Sequence, residues 1–220
     1  RNKNDDDNKI IYCTDEISQS NALNLWLSNN REVIKADPLI DAQFIPWLES
    51  QNEKYKFQRV DSEINDDLEK DSPEIVDKDG KSNTDNIKEI ITKALNNEKV
   101  TVKVQSLKNN NAPPALILLP EQMRRINDMG AYMEQKIPGL PEYHVLLVNK
   151  DHPLINGLIK FSDKKIILNE KGSDESSLTG RIVNHIYAMA KLTVGGLDQK
   201  QIVDLQLNNA ELLTELLNSN

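Results

Sequence analysis

The chain has a single cysteine, Cys13, among its 220 residues, so no disulfide can form within it. One thiol fits a reducing compartment, and a cytoplasmic protein is the expectation. No run of 18 apolar residues occurs, so no membrane-spanning helix is expected, and no secretory signal opens the chain. A positive excess is missing too. The net charge is -8, which argues against a binder of nucleic-acid phosphates. Neither G-x-G-x-x-G nor G-x-x-x-x-G-K-[ST] is present, so there is no phosphate-cradling loop. The three histidines, His144, His152 and His185, stand apart from one another and from any Cys or carboxylate at ligand spacing, so no metal site is expected. Aromatics make up 5% and mean hydropathy is -0.59, values that leave room for a polar linker. The first residue is Arg1 and not Met, which suggests a fragment of a longer protein.

The acidity is concentrated. Residues 61–86 hold ten acids and three lysines, a net of -7, which leaves about -1 for the rest. With few apolar residues, plus Pro73 and Gly80, this stretch reads as linker, its start through Leu68 able to extend a helix. Three parts follow: residues 1–60, an acidic linker over 61–85, and residues 86–220.

In the first part the pattern alternates strand and helix. Ile10 to Cys13 reads as a buried strand. Thr14 or Asp15 can cap a helix to about Asn29, and Val33 to Ala36 is a weak strand. Asp37-Pro38 opens a second helix with Ile40, Phe44, Trp47 and Leu48 on one apolar face. Alternation at Tyr55, Phe57 and Arg59 predicts a closing strand. The order β-α-β-α-β implies a small parallel sheet. The last part is α+β. A helix from Asp85 turns Ile87, Ile90, Ile91 and Leu95 inward, and strands are expected at 100–104, 116–119 and 145–148. A helix starts at Pro120 and a shorter one near Asp151. Two amphipathic helices, about 175–194 and 198–217, meet at Gly195-Gly196.

Chemistry has few places to reside. Cys13 ends a strand just before a helix, where some hydrolases carry a nucleophile, but no glycine flanks it to make the sharp turn. It reads as a small core residue. The rival reading is a small α/β enzyme with Cys13 as nucleophile. No other catalytic residue suggests itself. Two features are less ordinary. Met123, Ile126, Met129 and Met133 form a stripe beside Tyr132, and such a stripe is either core or an adaptable contact surface. The closing helix pair carries Leu178, Ile182, Ile186 and Met189 on one stripe. Its second helix carries Ile202, Leu205, Leu212, Leu213 and Leu216, and further apolar residues flank both stripes. That exceeds what one hairpin buries. Two hairpins from two chains would make a four-helix bundle and a homodimer.

Several stretches resemble the HtpG branch of the heat-shock protein 90 family. They are YCTDE at 12–16, IDAQFIPWLE at 40–49, KFQRVD at 56–61, TVKVQSLKNNNAPPALIL at 101–118, EQMRRINDM at 121–129, DHPLI at 151–155 and IYAMAKL at 186–192. The resemblance implies that residues 1–60 end a middle domain and that a dimerisation domain starts near residue 86. It implies an ATP-dependent chaperone whose final helices form a four-helix bundle between protomers. In the family an amphipathic helix of that domain contacts unfolded client proteins, and Met123, Ile126, Met129, Tyr132 and Met133 match it by position. ATP and Mg would be held by an N-terminal domain outside this chain, so this fragment would carry neither cofactor nor catalytic site. The remaining alternative is a pure dimerisation scaffold without client contact.

Overall fold

The structure, a computed structural model, describes residues 9–38, 40–52, 54–62, 68, 82–109, 111–120, 143–167 and 177–218. Among these it is α+β, with two small sheets and six helices.

The first sheet is wholly parallel, as the β-α-β-α-β pattern predicts. Strand β1 (Lys9–Cys13) lies between β2 (Ile34–Lys35) and β3 (Lys56–Arg59), in the order β2-β1-β3. Helices α1 (Ser20–Ser28) and α2 (Asp41–Gln51) make the crossovers. Two expectations are corrected here. The first helix does not start at Thr14 or Asp15. Instead, Asp15 closes a turn, accepting the amide of Ile17 at 3.1 Å and the hydroxyl of Ser18 at 2.6 Å, and regular helix begins only at Ser20. The apolar face assigned to the second helix is not its inner face. Ile45 is buried beside Tyr12 and Ala36, while Ile40, Phe44 and Trp47 are exposed at 68%, 46% and 53%. Phe44 and Trp47 stack on each other, 5.5 Å between ring centres. Helical spacing marks a stripe but does not say which side the sheet covers, and a single turn of the helix decides between Ile45 and its neighbours.

The second sheet is mixed. Strand β6 (His144–Asn149) is central, parallel to β4 (Val100–Gln105) and antiparallel to β5 (Ala115–Leu118). Helix α3 (Asn83–Leu95) starts at Ser82, whose hydroxyl accepts the Asp85 amide and donates to the Asp85 carboxylate, a reciprocal cap. Ile87, Ile91 and Leu95 are buried on its inner face, with Ile90 half-buried beside them. Helices α4 (Pro153–Ile167) and α5 (Leu178–Thr193) complete this core through Ile155, Leu158, Val183, Ile186 and Ala190. Helix α6 (Gln199–Asn218) follows after Gly195, whose φ of +68° is a left-handed turn that favours glycine. Asp198 caps α6, accepting the Gln201 amide at 2.8 Å.

The two sheets share a core. Ile11, Cys13, Leu25 and Trp26 from the first pack with Leu107, Leu116, Leu118 and Leu147 from the second. Leu68, in the acidic stretch, is fully buried in the same cluster, and its carbonyl accepts the Lys108 amide at 3.1 Å. The Trp26 indole donates to the Val60 carbonyl at 3.0 Å, and the Asp61 carbonyl accepts the Leu119 amide at 3.0 Å.

Candidate functional site

In a parallel sheet a ligand sits beyond the carboxyl ends of the strands where the strand order reverses, here between β1 and β3. At that end of the sheet the described polar side chains are buried and paired with one another. The Gln19 side chain is buried there. Its Oε1 accepts the Thr14 amide at 3.0 Å, and its Nε2 donates to the Thr14 hydroxyl at 3.0 Å. Arg59 and Asp61 lie beside it as a buried two-point ion pair, with Nη2 donating to Oδ2 at 2.8 Å. Cys13 is 2% exposed. Burial pushes its thiol up, and the carboxylates of Asp61, Glu16 and Asp15 add to the rise against a backbone hydrogen bond. A nucleophile needs the opposite shift and an open approach. The thiol of the folded chain is therefore expected to react with iodoacetamide at neutral pH orders of magnitude more slowly than after urea unfolding. Fast labelling of the folded chain, followed by mass, would favour the enzyme reading. Among the described residues no three of His, Cys, Asp and Glu are grouped to hold a metal ion, and no helix is long and apolar enough to cross a membrane.

The unusual surface lies on the closing hairpin. Helix α5 turns Thr179, Val183, Ile186 and Ala190 into the core, so Ile186 has no surface left to offer a partner. Ile182 packs partly against that core, and Leu178 is half-buried. Met189 and Leu192 are exposed. Helix α6 is different in kind: among its described side chains none is buried. Ile202, Leu205 and Leu212 are half-buried towards α5, while Leu213 is exposed; the Leu216 side chain is outside the described set. Val203, Leu207 and Leu217 are exposed at 45%, 61% and 78%. With Ala210 and Thr214 they recur at spacings of four and three, a seam of the coiled-coil type. The sequence had shown them only as flanks of the stripe; Leu192, and the outward turn of Phe44 and Trp47, were not foreseen.

Between α5 and α6 runs a groove of about 390 Å³ lined by residues that include Arg181, Tyr187, Lys191, Asp204 and Leu205. The Arg181 guanidinium reaches Glu215 at 3.0 Å and Glu211 at 3.3 Å. Tyr187 hydrogen-bonds the ring of His144 at 2.8 Å and stacks on it, and burial pushes its phenol up to about 12. Lys191 holds its ammonium 5.6 Å from the centre of the Tyr187 ring. Burial lowers the pKa of Lys191, against a smaller opposing effect from Asp198. His185 is pushed below the ordinary histidine range by burial, its Nδ1 without a hydrogen-bond partner among the described residues. Met123, Ile126, Met129, Tyr132 and Met133 lie outside the described residues.

No family model matches the chain. Curated relatives do. The chaperone protein HtpG of Porphyromonas gingivalis is 30% identical over 186 residues, covering 80% of this chain and 25% of that protein. HtpG of Bacteroides thetaiotaomicron is 28% identical over 171 residues, covering 72% of this chain and 24% of that protein. The chain spans about a quarter of the length of the curated relatives it matches. The motifs at 12–16, 40–49 and 101–118 and these relatives agree: over most of its length the chain is a homologue of the HtpG chaperones, the bacterial branch of the heat-shock protein 90 family.

Proposed function

We propose that this chain is the C-terminal part of an HtpG-type chaperone, and that it pairs with a second copy of itself and contributes to the surface that holds unfolded clients. The observation that carries the pairing is α6, a helix of 20 residues with no buried side chain among those described. A helix draws most of its stability from burying an apolar face, and α5, its main neighbour among the described residues, covers little of that face. Val203, Leu207, Leu213 and Leu217 need a cover, and the same helix of a second copy supplies one of matching spacing. Residues 1–60 are then the end of the middle domain, 61–85 an acidic connection, and 86–220 the dimerisation domain. Client contact falls to Met123, Ile126, Met129, Tyr132 and Met133. The exposed Phe44–Trp47 stack favours a client-binding role over that of a bare scaffold, because rigid aromatic surface is the commonest anchor for a partner chain. ATP and Mg belong to a part of the protein outside this chain.

Sedimentation over a dilution series tests the pairing. The full chain should sediment as a dimer, and a chain ending at Gly196 as a folded monomer. A monomer for the full chain at every concentration would remove the proposal. Suppression of aggregation of a heat-denatured test protein would report client contact separately.

A further inference from the structure

We propose that His185 is the pH-sensitive position in the surface that receives a second copy of this chain, and that pairing requires its uncharged ring. This rests on the pairing argued above and adds the residue that regulates it.

Helix α5 divides into three faces. Thr179, Val183, Ile186 and Ala190 are buried in or beside the core. Arg181, Asn184, Tyr187, Ala188 and Lys191 line the groove against α6. The third face holds Leu178, Ile182, His185, Met189 and Leu192, at spacings of four, three, four and three. Its far end is open, with Met189 and Leu192 exposed. The seam of α6, at 203, 207, 210, 214 and 217, has the same spacing and the same span. A hairpin that presents two seams of equal period and length is matched by a second copy of itself, four helices closing around one apolar interior. His185 is the one ionisable side chain on either seam, and it stands at the middle of its own.

A second copy seated on this face takes the remaining water from the ring. A neutral imidazole tolerates that loss, whereas an imidazolium does not unless a carboxylate meets it. The bias is already present within one chain. The His185 Nδ1 is enclosed, with no partner among the described residues. A ring that took up a second proton would place an N–H there with no acceptor. Burial lowers the pKa in the same sense, and no charge contributes to the shift. The charged groups among the described side chains of α5 and its neighbours are Arg181 and Lys191 of α5 itself, Lys200, Asp204, Glu211 and Glu215 of α6, Asp85, Lys88, Glu89 and Lys93 of α3, and Lys160 of α4; β5 carries none. Glu211 and Glu215 are held by Arg181. A second copy brings the same set, and its seams bring no acid to His185. Pairing is therefore independent of pH while the ring is neutral. Once pH falls far enough to protonate the free chain, each protomer must release a proton to pair, and Kd rises.

Sedimentation equilibrium of the full chain across a pH series is the test. Kd should stay level from about pH 8 to about pH 7 and rise by about tenfold or more by about pH 5.5. His185→Leu should pair at least as tightly as the parent and lose that rise. His185→Lys, charged throughout the series, should pair about tenfold or more weaker than the parent even near neutral pH. Circular dichroism at each pH confirms that every chain is folded. A parent whose Kd stays level throughout, a rise that persists in His185→Leu, or a His185→Lys chain that pairs like the parent would overturn the role of His185 while leaving the dimer intact. A parent that is monomeric at every pH would overturn the pairing itself.

Discussion

A chain carrying Leu207→Asp and Leu217→Asp should sediment as a folded monomer at concentrations where the parent is paired. Both leucines are among the most exposed large apolar side chains described. Neither contributes to the core of its own chain, so the substitutions should leave the melting temperature of the monomer almost unchanged. Covering a leucine stabilises by about 1.5–3 kcal/mol. A symmetric interface loses four such side chains, at least roughly 6 kcal/mol, or about four orders of magnitude in Kd. Each helix also gains two carboxylates beside the three acids it already carries, and mutual repulsion adds to the loss. Leu205 and Leu212 behave differently, because they are half-buried towards α5 within one chain. Charging those two would loosen the hairpin itself, and a monomer obtained that way would say less about the interface. If the Leu207→Asp, Leu217→Asp chain still sediments as the parent does, the seam at 203, 207, 210, 214 and 217 is not where two copies meet.

The two leucine pairs show where sequence patterning stops being informative. A run such as QIVDLQLNNAELLTELL announces an amphipathic helix with more apolar surface than one side needs. Which of its two apolar edges turns to α5 depends on where Gly195 and Asp198 aim the chain, and that is set by the turn. Helix α2 repeats the lesson. Its existence was legible from Asp37-Pro38 and the spacing of Ile40, Phe44 and Trp47, yet Ile45 faces the sheet. Strand β1 and helix α3 were legible from a β-branched run for the first and isoleucines at helical spacing for the second, although the helix is capped by Ser82 and not by Asp85. The order β4-β6-β5 could not be read, since three short apolar strands carry no mark of their neighbours.

Leu68→Ala is the second substitution with a large expected effect, and the sequence alone would rank it as harmless. The residue stands in a stretch of net -7 that reads as a linker, its start through Leu68 able at most to extend a helix. In the structure it is fully buried in the cluster between the two sheets, with Trp26 of α1, Val60 just after β3, Leu107 just after β4, and Leu116 and Leu118 of β5. Its carbonyl accepts the Lys108 amide, so the backbone is fixed there too. Truncating a leucine in such a site costs about 2–5 kcal/mol, a large share of the roughly 5–15 kcal/mol that holds a typical domain. The consequence reaches beyond local packing. If the two sheets depend on one core, emission from buried Trp26 and far-ultraviolet circular dichroism should follow a single urea transition. A Trp47→Phe background removes the exposed second tryptophan from the signal. Leu68→Ala should shift both curves together to lower urea with little change in slope. A loss below about 1 kcal/mol would mean that the site collapses around the smaller side chain. Two separated transitions would mean that each sheet holds its own core, and that the contact through Leu68 joins them only weakly.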